Sequence, residues 1–425
     1  MAQQSLFEDP PAAIDFAPTR AAGLSRLEAF APRAGSPYAR TRNYDYGPHK
    51  RTNVSALSPW IARRLIPEEE VLAATLARHS PSAAEKFVQE VFWRAYFKGW
   101  LEHRPDVWAR YARALDDLTA EVSGDGGLRK AYDCATEGRT GIDCFDAWAA
   151  ELVETGYLHN HARMWFASIW IFTLELPWEL GADFFFRHLM DGDAASNTLS
   201  WRWVAGLHTK GKTYLARADN IEKYTDGRFR PKGLAGYAPA LEEYVDESRT
   251  PLAQVPAELD EAVRDGALGV LLTDDDLSPD SLLGPDVSVA AVAGGTLAAA
   301  RSPLETGARA MAFADGALDD ALARAGAAFR APTDRLDLAD PSSLKSWAAD
   351  HSLDAVVVPY PTQGPAAAAI RARVDALESA GVGVRFLRRR YDALAWPHAT
   401  KGFFGLKKKL PAILDELGFH AAARD

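Results

Sequence analysis

The stretch Gly156-Tyr157-Leu158-His159-Asn160-His161-Ala162-Arg163-Met164-Trp165 runs into an aromatic, apolar segment that reaches Trp178. Asp191-Gly192-Asp193-Ala194-Ala195-Ser196-Asn197 follows, and Trp201-Arg202-Trp203 closes it. Ordinary core sequence does not set Arg, His, Asp and Asn among so many tryptophans. Taking a charge out of water is costly unless it is paired. These polar groups are therefore expected to face one another or a bound polar ligand.

Working outward, 425 residues exceed one typical core, so two domains are expected. The start, Met1-Ala2-Gln3-Gln4, has neither the basic nor the apolar part of a secretory signal. No charge-free apolar run approaches the ~20 residues of a membrane span; the longest candidate, Trp165 to Leu176, contains Glu175. A cytoplasmic protein without membrane contact is expected. Cys134 and Cys144 are the only cysteines, too few for a four-cysteine cluster, so no metal cluster is expected. A net charge of -10 argues against broad nucleic-acid binding but leaves room for a local basic groove.

Residues 1–36, rich in Pro, Ala and Gly without periodicity, predict an irregular arm. Residues 37–245 read as a helical domain. Tyr44 lies in its first polar, aromatic loop, and Asn53-Val54-Ser55-Ala56-Leu57-Ser58-Pro59 predicts a helix capped by Ser58 with Pro59 first inside it. Such a start, with hydroxyls at Ser55 and Ser58, suits an anion. Ser82-Ala83-Ala84-Glu85 predicts a capping box opening a helix to about His103. On it Glu90 and Arg94 are spaced for an ion pair, and Trp93, Phe97 and Trp100 share the neighbouring face. Lys210 and Lys212 fall in a flexible basic loop, and the chain reads as helical from there to about Phe229. Residues 246–262 read as a linker. Residues 263–425 alternate short apolar strands, at 268–272, 287–292, 354–359 and 381–387, with Ala-rich helices, and end in a helical tail. That alternation predicts a parallel α/β domain. It carries neither G-x-G-x-x-G nor a P-loop, so neither nucleotide motif supports a function there.

Four motifs of residues 38–230 resemble the helical FAD-binding domain of the DNA photolyase and cryptochrome family. Ser55-Ala56-Leu57-Ser58-Pro59 is similar to its T-S-R-L-S-P, and Glu90-Val91-Phe92-Trp93-Arg94 to its E-x-x-W-R. His159-Asn160-His161-Ala162-Arg163-Met164 resembles H-N-R-x-R-M, and the Asp191 to Trp203 segment resembles D-G-D-x-A-x-N followed by W-Q-W. Leu394-Ala395-Trp396-Pro397 and Gly402 to Lys409 resemble the linker that follows the family's α/β domain. The chain thus looks like a photolyase with its domains in exchanged order: α helical first, α/β Rossmann-like second. Such permutation is tolerable because domain termini lie at the surface.

The resemblance implies bound FAD and leaves a second, antenna chromophore open. It assigns phosphate contacts to Ser55, Leu57 and Ser58, with Tyr44 a looser candidate, and flavin contacts to Arg94, Asn160, Arg163, Asp191, Asp193 and Asn197. Pairing of Arg163 with Asp191 would leave a charge-balanced site beside the flavin. Glu90, Trp93, Met164 and Trp203 would form the pocket for a pyrimidine dimer flipped from DNA, and Lys210 and Lys212 would touch phosphate. Trp201 and Trp178 would carry electrons to the flavin. Three departures stand out: His161 where the family has Arg, Ala135 where it has its outer tryptophan, and Leu199-Ser200 where it often has two glycines. Tyr132 or another aromatic could replace the missing ring. The expected activity is light-driven dimer repair, with DNA as partner. The alternatives are a cryptochrome-like photoreceptor acting on a signalling protein, and a flavoprotein without light function.

Overall fold

The computed structural model describes residues 14–243, 248–264, 266–284, 286–340 and 342–419. Residues 20–224 form a helical body. Where an irregular arm was expected, Arg20–Phe30 is a helix, capped by the Thr19 hydroxyl accepting from the Ala22 amide. Leu27 and Phe30 bury beside Trp60, so packing rather than propensity makes this helix. Residues 1–13 of that arm lie outside the described residues, as do 420–425 of the expected tail.

Two helix starts differ from expectation. Helix Glu85–Glu102 is capped by Ala84, and Ser82 lies in the preceding turn with its hydroxyl on that of Ser80. Helix Ser58–Ala62 starts one residue earlier than its capping pattern suggests, after Leu57. The stretch read as helical to Phe229 is helical only over Ala218–Tyr224. Asp226 and Gly227, with φ of 55° and 73°, turn the chain out of it.

The second half holds a parallel sheet: β1 Leu268–Thr273, β2 Ala291–Gly295, β3 Thr333–Arg335, β4 Ala355–Pro359 and β5 Gly383–Leu387. Its order is β3-β2-β1-β4-β5, every pair parallel. The expected strand at 287–292 begins only at Ala291; Val287 and Val289 are buried ahead of it and only mimic a strand pattern. Polar β3, Thr-Asp-Arg at the sheet edge, had no apolar signal. The order reverses between β1 and β4. There the strand ends leave Asp274-Asp275-Asp276 and Tyr360 to Gly364 at the crevice where such sheets bind ligands.

That crevice faces the helical body. Tyr360 Oη and the Gln363 amide both donate to the carboxylate of Glu102, at 2.9 and 2.8 Å. Arg63 reaches Asp274 at 3.4 Å, and Arg64 bonds Glu68, Asp276 and Asp392 at 3.1, 3.3 and 2.6 Å. Arg389 adds two bonds of 2.6 Å to Asp276. All five members of the Arg64 cluster are buried. One apolar core runs through the seam, joining Trp60, Phe92 and Tyr96 to Val270, Val292, Phe313 and Trp396. At Gly99 a Cβ would stand 2.9 Å from the Trp396 backbone, so only glycine lets the C-terminal segment lie this close. No helix among the described residues is long and apolar enough to cross a membrane.

Candidate functional site

The Asp191-Gly192-Asp193 loop lies between helix Trp178–His188 and helix Ala194–Val204. Asp193 caps the second, its carboxylate accepting from the Ser196 amide at 2.6 Å. Arg163 projects from helix Asn160–Ser168 and donates to both Asp191 oxygens, at 3.0 and 3.2 Å. Ser58 completes the knot: its hydroxyl bonds Asp191 instead of capping its own helix. Burial pushes the Asp191 carboxyl up, but Arg163, Arg94 and Ser58 outweigh it and hold it below its usual value. Three separated segments thus converge on one carboxylate.

Arg94 does not pair with Glu90, as the spacing suggests. It faces Asp193 at 3.7 Å beside Lys98, at 3.5 Å from the same carboxylate, while Glu90 pairs with Arg42. Both residues find stronger partners from other segments than from their own helix turn. Burial opposes the Asp193 charge, but Lys98 and Arg94 overcome it and draw the carboxyl down to about 2. Asn197 donates to the Ala182 carbonyl at 2.7 Å. That fixes the amide plane and leaves its oxygen as the acceptor.

Other candidates spread around this centre. Ser55 is half-buried and accepts from the Leu57 amide at 3.4 Å; Leu57 is fully buried. Asn160 is exposed, and Met164 is half-buried one turn away. Tyr44 stacks on Tyr46 and meets Tyr224 edge-on, whereas Tyr38, which sequence reasoning passed over, lies against Phe87 and within the field of Glu90. Trp93 carries Phe403 flat on its ring, with centroids 3.8 Å apart at 12°. Trp203 leans on Tyr214 at 5.6 Å. His161 stacks on Trp165 at 4.0 Å and is bonded to the Asn43 carbonyl and Tyr214 hydroxyl; burial lowers its pKa, so at neutral pH it is uncharged. Lys210 and Lys212 are exposed. Trp201 is buried against Phe185, Phe166 and Trp170, while Trp178 meets Tyr111. Ala135 is fully buried. Lys98 was legible one turn beyond Arg94; Arg42, Tyr38 and Phe403 had no local signal.

Two buried polar atoms here lack hydrogen-bond partners: an Arg94 guanidinium nitrogen and the Ser196 hydroxyl. Orphaned donors beside a paired arginine and two amides fit a polyanionic, hydrogen-bonding cofactor. A profile described as the FAD binding domain of DNA photolyase matches residues 87–261. Over that stretch the chain is similar to the FAD-binding domain of DNA photolyases. The deoxyribodipyrimidine photo-lyase of Thermus thermophilus is 33% identical over 200 residues, 47% of this chain and 45% of that protein. The structure of a bacterial class III photolyase from Agrobacterium tumefaciens is 28% identical, with a TM-score of 0.41 over 49% of this chain and 43% of the other. That of the Synechocystis cryptochrome is 22% identical, at 0.43 over 52% and 46%. The chain spans less than half the length of the curated relatives it matches. This photolyase-type domain is an FAD-binding domain, and the protein is a flavoprotein of helical plus α/β architecture.

Proposed function

We propose that the protein is a blue-light-driven flavoprotein that splits pyrimidine dimers in DNA. The Arg163–Asp191–Ser58 knot carries the reading, because it sets a charge-balanced, hydrogen-bonding wall beside the start of helix Ala194–Val204. FAD bound there would supply light absorption and one-electron transfer. Arg163, Arg94 and the hydroxyls of Ser55 and Ser196 would hold its polar portion. Asn160, Asp191, Asp193 and Asn197 would line the ring, Asn197 offering its oxygen without adding charge. Leu57 would supply backbone contact and Tyr44 the outer edge of the cleft.

Glu90, Trp93, Met164 and Trp203 would form the lesion pocket, with Glu90 oriented by Arg42 and Trp93 presenting the ring face opposite Phe403. A flipped base is held by edge hydrogen bonds and stacking, which a carboxylate and an indole provide. Lys210 and Lys212 would meet phosphates. In domain terms we assign residues 37–245 to the flavin, 246–262 to the connection, and 263–425 to an α/β domain placed after the flavin domain instead of before it.

One observation favours a second reading, a photoreceptor that signals to a protein. Phe403 already occupies one face of Trp93, which narrows the pocket. Reduced, FAD-loaded protein mixed with dimer-containing single- and double-stranded DNA under blue light decides between them. Repair predicts dimer loss that stops when Glu90 is changed to Ala. Unchanged dimers, alongside normal photoreduction of the flavin, would refute repair and support signalling.

A further inference from the structure

Two aromatic branches of the helical body lie on the way outward from the buried Trp201 indole. In one, Trp201 meets Trp170 edge-on with centroids 6.2 Å apart, and Trp170 meets Tyr132 edge-on at 6.1 Å. Gly181 makes the first contact possible: a Cβ there would stand 2.4 Å from the Trp201 ring and 2.9 Å from that of Trp170. Trp170 sits in a π-helical turn, Ile169–Thr173, closed by the Leu174 amide on the Ile169 carbonyl. Such turns are rare and cluster at functional sites. In the other branch Trp178 meets Tyr111 at 5.6 Å. No ring contact joins Trp178 to Trp201 among the described residues.

The two branches differ in where an oxidised tyrosine could leave its proton. The Arg202 guanidinium stands 5.8 Å from the centre of the Trp178 ring but is paired with Glu243, and the Trp178 side chain bonds the Glu179 carboxylate, so charge does not separate the branches. Tyr111 is buried with no hydrogen-bond partner for its hydroxyl, so an oxidised Tyr111 has nowhere to leave its proton. Trp170 donates its indole N–H to the Pro177 carbonyl at 2.9 Å, a contact that strengthens when the ring becomes positive. Tyr132 accepts from Arg187 Nη2 at 3.0 Å and lines a cleft of about 190 Å³ with Thr119, Ser123 and Arg129. That cleft is large enough for water.

We propose that Trp170 and Tyr132, in place of Trp178, carry the electron that refills the flavin of this protein. The inference rests on the light-driven reading above. FAD held in the cleft would supply, when excited by light, the one-electron oxidant for Trp201. Trp201 takes one electron from Trp170, and Trp170 takes one from Tyr132. The Tyr132 O–H bond breaks, its proton passes to water in the cleft, and a neutral tyrosyl radical remains. An external thiol then returns a hydrogen atom to Tyr132. Trp201 and Trp170 end unchanged; FAD has gained one electron.

The test uses the full chain loaded with FAD and the Tyr132→Phe variant, which keeps the ring against Trp170 and leaves Arg187 on Asp183. Two quantities are read: bleaching of the oxidised flavin band under blue light, and the tyrosyl signal in electron paramagnetic resonance. Tyr132→Phe is expected to bleach about tenfold more slowly and to lose that signal, and Trp170→Phe to do the same. Wild-type bleaching and an unchanged radical in Tyr132→Phe overturn the route alone, as does a loss seen in Trp178→Phe but not in Trp170→Phe. FAD-loaded wild-type protein that never bleaches overturns the light-driven reading itself, and the route with it.

Discussion

The seam between the halves and the cleft around Arg163 are both rich in charge, but they use it differently. At the seam, Arg64 and Arg389 share Asp276, and Arg64 also bonds Asp392 and Glu68, all of them buried. Around Arg163 the groups are looser. The Arg163 side chain is 23% exposed, and Arg94 stands 3.7 Å from its carboxylate. Buried charge held by several short bonds ties parts together, even with Asp392 Oδ1 left unpartnered; looser charge beside a cleft is available to a ligand.

The comparison breaks most visibly at Asp276. Asp276→Ala leaves the buried Arg389 without its carboxylate, takes one of three from Arg64, and should destabilise the protein by about 3–5 kcal/mol, read from the urea midpoint. A loss under about 1 kcal/mol would mean the seam charges are more hydrated than their geometry indicates. Acid sharpens the contrast next. Burial lowers His159 and His208 to about 4 each, despite Asp45 acting in the opposite sense on His159. Their folded pKa lies below the unfolded value of about 6.5, so the unfolded chain takes the protons first. Their contribution is complete above pH ~6.5 and falls as pH drops toward about 4. A urea midpoint that stays flat between pH 7 and pH 5 would contradict this.

Two substitutions probe the cleft. Arg163→Met leaves Asp191 without its closest cation and should weaken FAD retention at least about tenfold, measured by equilibrium dialysis. Unchanged retention would remove Arg163 from the site. Asn197→Asp loses the donor to the Ala182 carbonyl, costing about 1–3 kcal/mol, and adds a negative charge. It should change which flavin redox state accumulates in light. An identical photoreduction spectrum would show that Asn197 does not face the ring.

The fold class was legible because its signals are local: strand and helix alternate after residue 267, and the apolar strand runs are continuous. β3 was missed because three polar residues at a sheet edge carry no pattern. The Arg163–Asp191 contact could be anticipated because both charges lie in an otherwise apolar stretch with few partners. The Glu90–Arg94 pair could not be judged the same way. Helical spacing permits it, but Arg42 and Asp193 arrive from distant segments and win. Phe403 on Trp93 was beyond reach for the same reason: 310 positions separate them, and only the folded seam brings the C-terminal segment there.

The central claim is that the helical half holds one FAD against Arg163, Asp191 and Asn197. Gentle purification of the full chain, followed by the absorption spectrum and flavin-to-protein ratio with and without added FAD, tests it most directly. The account predicts a yellow protein that binds one FAD per chain, and an Arg163→Met variant that retains its fold but loses the colour on dialysis. A colourless wild-type protein that takes up no added FAD would contradict it.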